Sequence, residues 1–463
     1  MGGSILVAIF NGGPPGVIYE FIVVSLFYWT IAASVAELAS AIPSSAGVYH
    51  WASVTPGLRR GRPIGFFAGW WNYLAWMTGL ASMVSILANT LVQMYALNHP
   101  GFEIQSWHVF VTYALATWLS CAVVCLANRI VPSLNQLGLL AIIGGFLVTV
   151  IVVTVMPGRD GRPPHATSSF VWSEWNAAIG YPDGFVFVAG MLNGAYSVGA
   201  VDVVTHLAEE IPYPSRNIPI AMLLQYGIGF ITGFAYLVSI MYAIHDFDAL
   251  FESSYPIAEI YRQATGSAAG ATGLLALVMF CMILAVIGLN VTTGRTLWAL
   301  ARDGAAPFPS ILGRVDSSLQ MPFWSTVISA ALVTVLGLIY LGNTTAFTAL
   351  VGSFILTSTS SYIAAILPNL LTGRKNISYG PFHMKGWLGF VVNGISCAYM
   401  MTWFVIYCLP YYLPTDAASM NYSSLIWGGF TIFIGAWWFC GAKNGYQGPK
   451  TTGGLLTEAE KTR

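Results

Sequence analysis

Apolar runs of about 20 residues recur from one end of this chain to the other, and that repetition leaves little choice of fold. Twenty helical residues reach about 30 Å, the thickness of the hydrocarbon core of a bilayer. The runs are continuously apolar instead of alternating, so they read as membrane-crossing helices and not as the strands of a barrel. Numbered from 2, the spans are predicted at Val17–Ile42, Ile64–Ala96, Trp107–Ala127, Leu137–Met156, Phe185–Val204, Ile220–Ile244, Gly273–Leu300, Phe323–Leu341, Ala346–Leu371, Trp387–Leu409 and Leu425–Cys440. A soluble protein carries about 25% charged residues. Here 8% of 463 residues are charged and 56% are hydrophobic, too few charges to cover a soluble surface. A secreted disulfide scaffold and a disordered regulator are excluded. Zero net charge also leaves none of the basic field that nucleic acid requires. Cys121, Cys125, Cys281, Cys397, Cys408 and Cys440 lie within or at the ends of apolar runs, without zinc-ligand spacing, and read as packing residues.

Numbering starts at 2 because Gly2–Phe10 is apolar but only about 9 residues, roughly 14 Å of helix. It stops at the breaker cluster Asn11-Gly-Gly-Pro-Pro-Gly16. It has no basic n-region or cleavage site of a signal peptide, so the chain reads as starting inside a transmembrane helix. Basic residues set the orientation. Fifteen of the 18 lie on one side: Arg59, Arg60, Arg62, Arg129, Arg216, Arg295, Arg302, Arg314, Arg374, Lys375, Lys385, Lys443, Lys450, Lys461 and Arg463. This basic end is expected in the cytoplasm together with the C-terminus. The domain reading is a permease domain over residues 1–442 and a short cytoplasmic tail, expected to be disordered, over 443–463. Two longer loops at the opposite end, Pro157–Asp183 and His245–Gly266, are either covers of a vestibule or plain connections.

Enzyme motifs for nucleotide phosphate, zinc or a serine nucleophile are missing. The unusual feature is glycine inside two spans. Gly2 and Gly3 sit in the half-span, and Gly190, Gly194 and Gly199 surround Asn193, Tyr196 and Ser197 in span 6. Each interior glycine costs a helix roughly 1 kcal/mol against alanine, so a break is expected in both, at positions that correspond in two five-helix halves. Such interruptions point to a midplane binding site; close helix packing is the plainer reading. Asp202 follows the second break, and an intramembrane carboxylate normally faces the bundle interior. His206 and Glu209, at i+4 and i+7, share its helix face. Two readings stay open: a polar path for solute or proton, or an Asp202 bonded to a neighbouring helix with His206 and Glu209 at the basic mouth. Glu37 reads as a loop anchor. Among Trp70, Trp71, Tyr73 and Trp76 of span 3, the alternatives are interfacial belt residues or aromatic contacts to a cationic head, with Tyr73 and Trp76 the candidates.

Ser34-Val-Ala-Glu-Leu-Ala-Ser-Ala-Ile-Pro43 with Ala46-Gly-Val-Tyr-His-Trp51 resembles the loop after span 2 in the amino acid–polyamine–organocation superfamily. Asp202 to Pro219 is similar to its span 6 exit, and Gly294 to Pro307 to its span 8 exit. Met420 to Ser424 and Tyr446 to Pro449 resemble the fungal amino acid, GABA and choline permease branch. The resemblance implies an all-α polytopic membrane protein with a five-plus-five inverted-repeat transporter fold, two extra C-terminal spans and, in this chain, a truncated first helix. It implies a plasma-membrane secondary transporter working by alternating access on an amino acid, GABA or choline, with a co-transported proton and no cofactor. The other reading is a non-transporting solute sensor or an inactive truncated paralogue. Carried over by position, substrate contacts fall on Gly2, Gly3, Ser4, Tyr196, Ser197, Val198, Gly199 and Asp202, and Arg302 with Asp303 serve the inner gate. Membrane lipid is the expected surrounding, and nucleic acid no partner.

Overall fold

The computed structural model describes residues 5, 9–159, 161–253, 255–341, 346–416 and 420–449. Ten of its helices are long and apolar enough to cross a membrane among the described residues. Spans 2 to 8 are Gly13–Ala41, Leu58–Asn98, Ser106–Leu126, Val131–Val155, Asp183–Val198, Pro214–Tyr242 and Ala268–Arg302. Span 9, Phe323–Gly337, is shorter and gains a 3-10 turn, Leu338–Leu341; spans 10 to 12 are Ala346–Leu371, Trp387–Ile406 and Ser423–Trp437. Spans 3, 5 and 7 start well before their expected first residues. Each begins ahead of a proline: Pro63, Pro132 and Pro219. Pro132 sits in the first turn, where proline costs no hydrogen bond; Pro63 and Pro219 lie a turn further in and each free one carbonyl, that of Ser215 being taken by Ser40 Oγ at 2.7 Å.

Span 2 packs on span 7, span 3 on span 8 and span 4 on span 9. These are the corresponding members of two halves, the pairing that an inverted repeat produces. Span 3 is central, held between spans 8 and 10. Span 5 lies outside and turns Leu139, Leu140, Ile142 and Ile151 outward, as a helix bathed in hydrocarbon does. Span 10 is buried over most of its length although it reads Ser353-Phe-Ile-Leu-Thr-Ser-Thr-Ser-Ser-Tyr362. Its hydroxyls turn back on their own helix: Thr357 donates to the Ser353 carbonyl at 2.6 Å, Ser360 to Leu356 at 2.8 Å and Ser361 to Ser358 at 2.7 Å.

At the end opposite the basic one, the breaker cluster does what its composition demands. Gly12 and Gly13 take positive φ, and Pro14 and Pro15 open span 2. Asn11–Gly12 pairs antiparallel with Asn176–Ala177, and a Cβ on Gly12 would overlap the Trp175 ring. The loop after span 5 is therefore bound to the start of span 2. It is also tied to the end of span 11, through the Leu413 amide on the Ile179 carbonyl at 2.9 Å. The loop after span 7 carries the helix Pro256–Thr265, which buries Ile257, Ile260, Tyr261 and Ala264. Both loops are packed covers. Of the half-span before them, Ile5 and Ile9 are buried and joined by a helical hydrogen bond of 2.9 Å; Gly2, Gly3 and Ser4 lie outside the described residues.

The basic end holds two anchors. Glu37 is fully buried, accepts from Arg374 Nη2 at 2.5 Å and from the Met384 amide at 2.7 Å, and so pins the loop between spans 10 and 11 to span 2. Gly389 leaves the room that the Arg374 guanidinium fills. The second anchor corrects the disordered tail over residues 443–449, while 450–463 lie outside the described residues: Lys443–Gly445 is helical, Tyr446 is fully buried against Phe66 and Trp438, and Arg62 donates to the carbonyls of Lys443 and Tyr446 at 2.9 and 2.5 Å. An aromatic that packs against span 3 outweighed the polar composition around it. Arg374→Ala leaves the buried Glu37 charge with the Met384 amide and, at 3.8 Å, His383 Nε2, but without its arginine, and should cost about 3–5 kcal/mol. Thermal unfolding in detergent checks this: Arg374→Ala should melt well below wild type, and adding Glu37→Gln should restore part of the loss.

Candidate functional site

Span 6 ends as an α-helix at Val198, and the chain resumes as a 3-10 helix only at Val203–Leu207. The gap is at Gly199–Asp202. Gly199 is required by crowding, since a Cβ there would lie 3.0 Å from both Ile355 Cδ1 and Phe354 Cε1. A broken helix leaves carbonyls without partners, and neighbours supply them. Tyr226 of span 7 donates to the Val198 carbonyl, and Gln225 to that of Ala200 at 3.1 Å. The glycines of span 6 have a second use: Gly194 fits against Val24 of span 2.

Asp202 is the centre of the site. It is fully buried, and three elements reach it. Asn72 Nδ2 of span 3 donates to Oδ2 at 2.8 Å, the Tyr362 hydroxyl of span 10 to Oδ1 at 2.6 Å, and His206 Nε2 lies 3.2 Å from Oδ2. His206 Nδ1 lies 3.1 Å from the Ser45 carbonyl, which can only accept. Nδ1 therefore carries a proton, and the hydrogen bond at Nε2 requires a further proton on the imidazole or on the acid. The Asp202 stripe divides. Asp202 bonds neighbouring helices, His206 stays with it, and Glu209 leaves for the basic mouth. There Glu209 accepts from Ser45 Oγ at 2.5 Å.

Aromatic rings border the break. Trp76 meets the His206 ring edge-on at 5.8 Å and the Phe354 ring at 6.2 Å, and Phe354 meets Tyr196 at 5.8 Å. The Tyr196 hydroxyl bonds Ser82 at 2.8 Å, and Ser197 bonds back to the Asn193 carbonyl at 2.9 Å. Phe354 fits because Gly79 and Gly199 flank it. The span 3 aromatics thus divide: Trp76 joins the site, while Tyr73 is buried with its hydroxyl on Ser329 of span 9 at 3.1 Å. Neither is an interfacial belt residue. Sequence reasoning missed Asn72, Phe354 and Tyr362. Its available signal was the run of Ser and Thr in span 10, which a lipid-facing helix does not carry.

A cavity of about 130 Å³ opens at the basic end, lined by Ser45, His206, Glu209, Glu210, Arg295 and Trp298 among others. His206, itself buried, forms part of its inner wall. Ion pairs cross its rim: Arg295–Glu210 at 2.6 Å and Arg302–Glu209 at 4.0 Å. Arg302 also donates to Asp303 at 3.2 Å and stacks over Trp298 at 4.8 Å. Arg302 and Asp303 therefore stand at the basic mouth, on the span 8 exit, facing the span 6 exit.

The family model described as amino acid permease matches residues 1–431. The chain belongs to this permease family, within the amino acid–polyamine–organocation superfamily. Over 439 residues it is 30% identical to a choline transporter of Saccharomyces cerevisiae, covering 94% of this chain and 77% of the other. It is 26% identical to a swainsonine transporter of Arthroderma benhamiae, over 94% of this chain and 86% of that one. An amino-acid permease of Arabidopsis thaliana is 26% identical over 95% and 87% of the two chains. The permease is a multi-pass membrane protein and a transporter of small nitrogenous solutes, not an enzyme.

His50 lies in the short helix Val48–Val54 between spans 2 and 3, near Arg302. Burial, and then the Arg302 charge, push its ring down to about 4. The unfolded chain binds that proton near pH 6.5. The permease thus keeps full stability from His50 above about pH 6.5 and loses it as pH falls towards 4, by on the order of 3 kcal/mol. Melting followed from about pH 7 to about pH 4.5 should show a shallower fall for His50→Gln than for wild type. Parallel falls would place the acid-sensitive group elsewhere.

Proposed function

We propose that this permease is a secondary transporter whose substrate carries an ammonium head, choline first among the candidates, and that it works by alternating access with a co-transported proton. The observation that carries the reading is the cluster of Trp76, Phe354 and Tyr196 rings against the span 6 break, with the Asp202 acid behind it. Aromatic faces attract a quaternary ammonium, which offers no hydrogen bond. The Saccharomyces relative, a choline transporter, supports the same choice. Substrate would meet Tyr196, Ser197, Val198 and Gly199 at the break, and Gly2, Gly3 and Ser4 from the half-span. GABA and zwitterionic amino acids, which can use backbone amides at a break, are the competitors.

Proton coupling is assigned to the Asp202–His206 pair, because the 130 Å³ cavity links His206 to the basic end. Arg302, Asp303, Glu209, Glu210 and Arg295 form the inner gate. Positive charge concentrates at this end, which supports a cytoplasmic C-terminus at the plasma membrane.

The test is uptake and binding on the same purified chain in liposomes, with choline competed against GABA and neutral amino acids. Competition by GABA but not by choline would overturn the ammonium reading, and binding without uptake would make the chain a sensor. Phe354→Leu should weaken choline by about 2- to 30-fold, the range of one cation–π contact. Asp202→Asn should abolish most uptake while inserting normally, since a charged acid costs about 2.5–3.5 kcal/mol on insertion scales. Normal uptake and normal pH dependence in that variant would reduce Asp202 to a packing residue.

A further inference from the structure

Glu20 stands apart from every acid discussed so far. It lies in span 2, two turns in from the end opposite the basic one, and is 1% exposed. Both of its carboxyl oxygens lack a hydrogen-bond partner, and no salt bridge reaches it among the described residues. Its surroundings are shaped for it. A Cβ at Gly190 of span 6 would overlap the carboxyl, and one at Gly16 would lie 3.5 Å from Oε1. Gly190 is therefore the glycine that admits an acid between spans 2 and 6, a use distinct from the break at Gly199.

We infer that Glu20 is a proton-binding site: the carboxyl carries a proton in this conformation and exchanges it with the solvent at the end opposite the basic one. An ionised carboxylate sealed in a low-dielectric interior without donor or cation is strongly unfavourable. A metal ion would need several further oxygen ligands, and no group of three metal-ligating side chains occurs among the described residues. The titratable groups on the packed elements are committed elsewhere. On span 6, Asp183 accepts from Trp175 and Asp202 from Asn72 and Tyr362. On span 7, Tyr226 donates to Val198 and Tyr236 bonds Tyr261. At the end of span 11, Tyr407 faces Glu20 electrostatically and shares a 3.3 Å hydrogen bond with Tyr399.

Tyr407 also supplies the route. It lines a cavity of about 30 Å³ with Asn11, Ala189 and Leu192, and the last two bracket Gly190. That space admits a water molecule or two. Glu20 does not line that space in this conformation, so release follows a shift that brings the water against the carboxyl; the O–H bond then breaks, the electron pair stays on the carboxylate and the proton passes to that water. Asp202 opens towards the basic end and Glu20 towards the other, so the two acids serve opposite faces.

The exchange role rests on the transport reading above, whereas the protonated site does not, and the experiment separates them. Infrared difference spectra of the purified chain in nanodiscs at neutral pH should show one protonated-carboxyl C=O stretch that Glu20→Gln removes and Asp202→Asn leaves. Glu20→Leu repeats this measurement with an apolar side chain. Retention of every such band in both Glu20 variants would show that Glu20 is ionised and would overturn the site, whether or not the protein transports. In liposomes, wild-type choline uptake should change by up to about tenfold per pH unit on the outer side, as one bound proton allows. Glu20→Gln should vary by less than about twofold over the same unit. A wild-type pH profile in that variant would overturn the exchange role.

Discussion

One buried acid holds the middle of this molecule together. The turn at Gly199–Asp202 interrupts a helix in a region where unpaired backbone groups are costly. It is stable because Asp202 gathers Asn72, Tyr362 and His206 on a single carboxylate, while Tyr226 and Gln225 cover the freed carbonyls. Spans 3, 6, 7 and 10 and the loop after span 2 all meet there. The acid can be kept in so apolar a place only because every one of these elements contributes to it.

The two kinds of ion pair at the basic end differ in a way that matters. Arg374–Glu37 is buried, and removing either partner strands the other. Glu209 and Glu210 are each more than half exposed, where pairing is worth about 0–1 kcal/mol. The first kind fixes a loop in place. The second can be broken and remade at little cost, as a mouth that opens requires.

The spans and their number were legible because about 20 apolar residues per crossing is a one-dimensional signal. The break in span 6 was legible from glycine density, and Asp202 from being an acid in such a run. Its partners were not, because Asn72 and Tyr362 lie 130 and 160 residues away, and nothing local marks such a meeting. Phe354 looked like any apolar residue of a span until Gly79 and Gly199 were seen on either side of it. Glu20 escaped because its significance is a lack of partners, which only three dimensions reveal. Tyr446 was hidden by polar neighbours whose composition suited disorder while one ring packed.

Span 10 has a mechanical consequence. Most of its hydroxyls are satisfied within their own helix, so at Thr357, Ser358 and Ser361 no bond to another helix has to break if the helix shifts. Phe354, seated between Gly79 and Gly199, is the large side chain that locks it to spans 3 and 6. The helix behaves as a smooth shaft through the centre of the bundle. Its attachments are Phe354 in its glycine seat, Tyr362 on Asp202, Ser360 under the Trp427 indole, the Thr348 and Ala349 carbonyls under Tyr411 and Ser423, and Arg374 just past its end. Displacement of such a shaft is set by those latches and not by the many contacts along its length, so a change of charge at one of them is felt along the whole rod.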